Sequence, residues 1–265
     1  MTLKLNQTVG ELVVERPGRS RIFESFGIDY CCGGRKSLVE ACAAKGIDPQ
    51  TVIGILDAFD DRPADRQERS WSKVSFWELV DHIEHTHHQY LKRELPRLAF
   101  LVTKVARSHG EGHPHLVELQ KVFETFKTGV ELHIAKEEKI LFPLVRQLSV
   151  AHELPHFPCG QIANPIRVII AEHDEAGDAM KKMRDLTNGY LPPDDACGRY
   201  RAMLEGLKEL ERDMHEHVHK ENSILFPAVV AAEDRLRALH GWPVGASIQT
   251  AQNGRGGQSD SEIVL

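Results

Sequence analysis

The segment HIAKEEKILFP, beginning at His133, and the segment HVHKENSILFP, beginning at His217, each set a glutamate four residues after a histidine and close on Ile-Leu-Phe-Pro. On a helix, residues four apart are about 40° apart around the axis and roughly 6 Å apart along it. Both side chains therefore leave one face and can reach one centre. An imidazole and a carboxylate offered together are ligands for a divalent metal. One His-x-x-x-Glu is ordinarily a solvated pair; two in register need a shared cause. Each copy is also preceded at nearly equal distance by a further histidine, His88 before His133 and His173 before His217. His88, His133, Glu137, His173, His217 and Glu221 would bring four imidazoles and two carboxylates into one interior, where unpaired polar groups are costly. A pair of metal ions is their natural partner. Mixed nitrogen and oxygen ligation suits iron, and manganese less well, whereas zinc favours four-coordinate closure. Two six-coordinate ions have about twelve positions. Four histidines, two bridging glutamates and an oxo or hydroxo bridge leave about two of them for water, dioxygen or nitric oxide, so a reactive centre is expected.

Elements that could position these groups are legible around them. After Trp71 apolar residues recur at helical spacing, and strand-like alternation is absent. Long helices are expected over about 75–108, 114–148, 164–188 and 194–239, with His113-Pro114 and Asn164-Pro165 as two of the starts. The doubled motif divides them into two antiparallel hairpins, and two stacked hairpins make an all-α four-helix bundle. Pro143 and Pro227 occupy matching places after the two motif histidines. A kink is expected at each, because a proline inside a helix removes a backbone bond. Residues 1–60 read as a small helical domain. Thr8-x-x-Glu11 and Ser37-x-x-Glu40 have capping-box spacing, Asp48-Pro49 opens another helix, and the glycines of GIDYCCGGRKS mark a turn. Charged, proline-containing residues 61–70 read as a linker to the bundle at 71–240, and the Gly-, Gln- and Ser-rich residues 241–265 as a disordered tail.

Two other motifs compete. HEHVH at 215–219 fits the His-Glu-x-x-His zinc-protease pattern, but Glu131, Leu132 and Ala135 stand at the equivalent places in the first copy, so the duplication would go unexplained. A ferritin-type centre needs Glu-x-x-His on two helices. Only Glu84-x-x-His87 and the loop segment Glu153-x-x-His156 supply it. His82, His85, His87, His109, His113, His115, His152, His156 and His240 have no partner in the repeat and read as surface or core residues, although His87 adjoins His88 and could take its place.

The bulk properties exclude several classes. A net charge of −6 and a pI near 6.2 argue against nucleic acid as a partner. No apolar run is long enough to span a bilayer, and the N-terminus lacks a secretory h-region. Five cysteines in unpatterned positions do not make a disulfide framework. The simplest location is the cytoplasm.

DYCCGG at 29–34, then HIAKEEKILFP, EHDEAG at 172–177 and HVHKENSILFP, in this order, resemble the iron–sulfur cluster repair di-iron family of RIC or ScdA/YtfE type. The resemblance spans about residues 5–232. It implies a hemerythrin-like bundle behind an ScdA-type N-terminal domain, and two non-haem irons on the six residues above with both glutamates bridging. It also implies repair of iron–sulfur proteins damaged by nitric oxide or oxidants, through supply of iron. A di-iron nitric oxide reductase forming nitrous oxide is the alternative; a dioxygen carrier or sensor would favour a more histidine-rich site. Whether the chain forms a homodimer is open. Cys31 and Cys32, flanked by Gly33 and Gly34, read as accessible thiols that bind or transfer iron, against a plainer reading as small packing residues. Cys42, Cys159 and Cys197 read as structural.

Overall fold

A computed structural model describes residues 5–60 and 71–239. The expected linker at 61–70, His240 and the tail at 241–265 lie outside the described residues. Among the described residues there is no strand beyond an isolated bridge between Thr8 and Ser37, and no helix is long and apolar enough to cross a membrane.

The N-terminal part holds α1 (Val9–Glu15), α2 (Ser20–Ser25), α3 (Leu38–Ala43) and α4 (Pro49–Asp60). Both capping boxes form: Thr8 with Glu11, and Ser37 with Glu40, each exchange side-chain and backbone bonds. The Asp48 carboxylate accepts from the backbone N–H groups of Gln50 and Thr51 at the start of α4. These short helices bury Val9, Leu12, Phe23, Leu38, Val52 and Leu56 in a core of their own.

The bundle is made by α5 (Phe76–Ile83) with α6 (Gln89–His109), α7 (His115–Lys136) with α8 (Phe142–Ser149), α9 (Ala163–Leu186), and α10 (Gly198–His219) with α11 (Phe226–Leu239). Each of the three pairs is one continuous rod joined by a π-helical turn, at Glu84–His88, Glu137–Leu141 and Lys220–Leu225. α6 packs on α7 and α10, and α7 on α9. Both hairpins are antiparallel. Arg146 on α8 meets Asp81 and Glu84 near the start of the first rod at 2.6 Å each, and Glu233 on α11 accepts from the Ile162 N–H before α9.

A π turn precedes each of the two prolines at which a kink is expected. Pro143 and Pro227 are the second residues of α8 and α11, directly after a π turn. The N–H groups of Phe142 and Phe226 still donate back across the wide turn to the Glu137 and Glu221 carbonyls, so each rod continues and lacks only the proline's own donor. The rod widens instead of breaking, and the widening sits beside Glu137 and Glu221.

Two apolar cores fill the bundle. One gathers Leu91, Leu98, Phe123, Val130, Leu207 and Met214; the other gathers Leu79, Ile83, Phe142, Ile166, Leu225 and Phe226. On each rod, the residues between the two cores belong to the polar layer.

Candidate metal centre

All six residues singled out by the repeat lie in that polar layer, each no more than 4% exposed. They form two groups whose ligand atoms lie within 4.8 Å of one another: His88 and His217 with both glutamates, and His133 and His173 with the same two glutamates. Glu137 Oε2 stands 3.3 Å from Nε2 of His88 and 3.3 Å from Nε2 of His133. Glu221 places Oε1 3.2 Å from His217 Nε2 and Oε2 3.1 Å from His173 Nε2. Each carboxylate therefore serves both groups. Nε2 of His88 lies 3.3 Å from that of His217, and Nε2 of His173 lies 3.1 Å from that of His133. Yet Glu137 Oε1 and Oε2 and Glu221 Oε2 are buried without a hydrogen-bond donor. An orphaned buried polar group costs about 1–3 kcal/mol, and more when charged. A cluster of facing imidazole nitrogens around orphaned carboxylates is a donor set that fits cations.

Sequence reasoning missed the residues that orient the rings. His88 Nδ1 donates to Glu138 Oε1 at 3.0 Å, and Lys92 holds Glu138 at 2.6 and 2.7 Å. His133 Nδ1 donates to Glu172 at 3.0 Å, and Glu172 pairs with Lys136. His173 Nδ1 donates to Asn222 Oδ1 at 3.0 Å. Carboxylate or carbonyl partners of this kind fix the tautomer and raise ligand basicity. Each orienter adjoins a repeat residue in sequence, and that adjacency was the available signal.

Burial works against charge on His173, but Glu221 and Glu137 outweigh it and raise its pKa to about 9 in the metal-free protein. An unfolded histidine titrates near 6.5. Protonated His173 therefore stabilises the metal-free fold fully below about pH 6.5, and this contribution fades as pH climbs through 9. The urea midpoint of metal-free protein should fall between about pH 7 and pH 9. A flat or rising midpoint over that window would contradict the pairing.

His87 does not replace His88. It is buried outside both groups, with Nδ1 2.9 Å from Asp213 and Nε2 2.9 Å from Lys220 Nζ, so it is an engaged polar residue, not a bystander. His215 and His219 join neither group; their rings lie 6.0 and 5.4 Å from that of Tyr30. His109 and His113 face Cys197 and Asp195 at the opposite end of α6.

The expectation of accessible thiols is corrected. Cys31 is 3% exposed and packs with the bundle core, while Cys32 is half-buried. The turn lies on α9, where Cys32 Sγ donates to the His173 carbonyl at 3.3 Å. Gly177 permits this approach: a Cβ there would stand 3.2 Å from Cys32 Sγ. The two sulfurs are 3.8 Å apart and unbonded, and with Asp29 they form a third group of potential ligands. Contact with Cys32, and burial, push the Cys31 thiol well above its usual range. A cleft of about 1000 Å³ borders this turn, and a smaller cavity of about 300 Å³ reaches His133 and His173 past Leu132, Lys136 and Glu172.

Fold and site together define a cation-binding four-helix bundle of the hemerythrin type. Residues 79–229 match the Hemerythrin HHE cation binding domain, and residues 5–60 match ScdA_N, described as a domain of unknown function (DUF542). The chain is 34% identical over 228 residues to the iron-sulfur cluster repair protein YtfE of Escherichia coli O17:K52:H18 and to that of Escherichia fergusonii. Each match covers 86% of this chain and 98% of the relative. The chain belongs to the YtfE family of iron-sulfur cluster repair proteins.

Proposed function

We propose that this protein holds two iron ions, one at His88 and His217 and one at His133 and His173, with Glu137 and Glu221 shared between them, and that it restores damaged iron–sulfur clusters by donating iron. The carrying observation is the pair of buried groups that share both carboxylates, which provides for two neighbouring ions. The names of the relatives supply the repair activity. Bound iron would supply a redox-active ion with positions left over for a small ligand such as nitric oxide or dioxygen. The chain's own residues orient the imidazoles, exclude bulk water through the two apolar cores, and leave a cavity at His133 and His173.

Cys31 and Cys32 are assigned to thiol-assisted transfer of iron toward damaged iron–sulfur proteins, because their turn rests on the helix that carries His173. Five free cysteines suit a reducing cytoplasm. Since all six ligand positions and their orienters fall within 71–240, that segment is proposed as the metal-holding domain. Expressed alone, it should fold and bind iron, and its failure to do either would refute the division.

The functional test incubates reduced, iron-loaded protein with apo-aconitase and, separately, with nitric oxide plus reductant. Restored aconitase clusters with stoichiometric loss of iron are expected. Catalytic formation of nitrous oxide without cluster restoration would replace donation by turnover.

A further inference from the structure

The repeat builds both halves of the centre, yet it does not support their imidazoles equally. Aligning the two copies pairs His133 with His217, Lys136 with Lys220, and Glu172 with His87. In the first arrangement Glu172 accepts from His133 Nδ1 and is held in turn by Lys136. In the second the lysine is kept, but it meets His87 Nε2 at 2.9 Å. The other nitrogen of His87 is taken by Asp213, a residue that stands where the first copy has Gly129. The His87 ring lies 5.4 Å from that of His217 and nearly parallel to it, at 7°, so it offers a face and no acceptor. His217 Nδ1 is consequently buried without a partner. The ring at the other end of each pair is oriented in both halves, His173 by Asn222 and His88 by Glu138.

On the di-iron reading above, we infer that the two iron positions differ in affinity: the ion at His133 and His173 is the tightly held one, and the ion at His88 and His217 is the one available for donation. Loss of an outer hydrogen-bond partner typically weakens metal binding about 10–100-fold, because the ring is less basic and less fixed. That factor sets the expected size of the difference.

Two features shape the experiment. The cavity reaches His133 and His173 but not the other pair, so release rates mix access with affinity. The shared glutamates would weaken binding of a second ion at either position, so two-step loading alone does not identify the weaker one. Site occupancy at equilibrium does. Full-length metal-free protein is given one equivalent of iron(II) anaerobically, and each position is read by anomalous diffraction at the iron edge. Occupancy at His133 and His173 should exceed that at His88 and His217 about tenfold or more. Glu172→Ala removes the extra support at a partly exposed position and should bring the ratio close to one. The pair His87→Glu/Asp213→Ala recreates the first copy's arrangement around His217 and should level the ratio from the other side. Equal or reversed occupancy in the unmodified protein, or a ratio untouched by Glu172→Ala, overturns the inference. Fewer than two irons in protein saturated with iron(II) would instead overturn the di-iron reading itself.

Discussion

Replacing Glu221 with alanine is expected to empty both metal positions, not one. Its Oε1 faces His217 and its Oε2 faces His173, so a single truncation removes a ligand atom from each group. Losing an outer-shell partner costs about 10–100-fold in metal affinity, and losing a direct ligand from both positions should exceed the upper end of that range. After desalting, elemental analysis should find iron reduced from about two per chain to a small fraction of one. Glu138→Ala is the informative contrast. Of the six ligand residues Glu138 bonds only His88, so that change should weaken the His88 and His217 position and spare the other. Truncating Glu221 has a second consequence without metal. Glu221 is the leading cause raising the pKa of His173 against burial, with Glu137 behind it, so the variant's metal-free fold should lose most of the pH dependence described above. A Glu221→Ala protein that kept one full equivalent of iron would show that the carboxylate serves a single ion.

What was legible in the sequence follows from the physics of each feature. Four helical rods, their hairpin pairing and the six inward residues all follow from periodicity and duplication, which act along the chain and leave a mark in it. The capping boxes at Thr8 and Ser37 were legible for the same reason, since each is a contact over three residues. The π turns were not. Leu141 and Leu225 look like ordinary helical positions, and the prolines that follow them are no guide, since the turn at Glu84–His88 forms with no proline directly after it. The orienting residues were missed because Glu138, Glu172 and Asn222 resemble solvent-facing polar residues until a neighbouring rod presents an imidazole. The burial of Cys31 was missed because it depends on docking of the N-terminal domain against α9, a contact between segments more than a hundred residues apart. The two glycines after the cysteines suggested an open turn. In fact Gly34 is needed for close packing, since a Cβ there would stand 2.5 Å from the Tyr30 carbonyl oxygen.

That docking changes what the cysteine pair is expected to do. Neither sulfur belongs to the two buried ligand groups, so Cys31→Ala/Cys32→Ala should leave iron content and the optical spectrum of the centre unchanged. Truncation of two small side chains costs on the order of 1 kcal/mol each by analogy with deletion of single buried methyl groups, which a chain of this size withstands. Cluster repair, by contrast, should fall. In the docked arrangement the thiols are also poorly reactive, because Cys31 is buried and its thiol is pushed up. Alkylation of the unmodified protein should therefore mark exposed Cys197 first, half-buried Cys32 and Cys159 next, and buried Cys31 and Cys42 last. On the proposed transfer role the turn would have to lift from α9, parting Cys32 from the His173 carbonyl. The ligand change His217→Ala separates the two roles, since it should diminish iron and repair together. If the double cysteine variant repairs clusters at the unmodified rate while keeping its iron, the thiols are packing residues that seat the N-terminal domain, and donation proceeds without them.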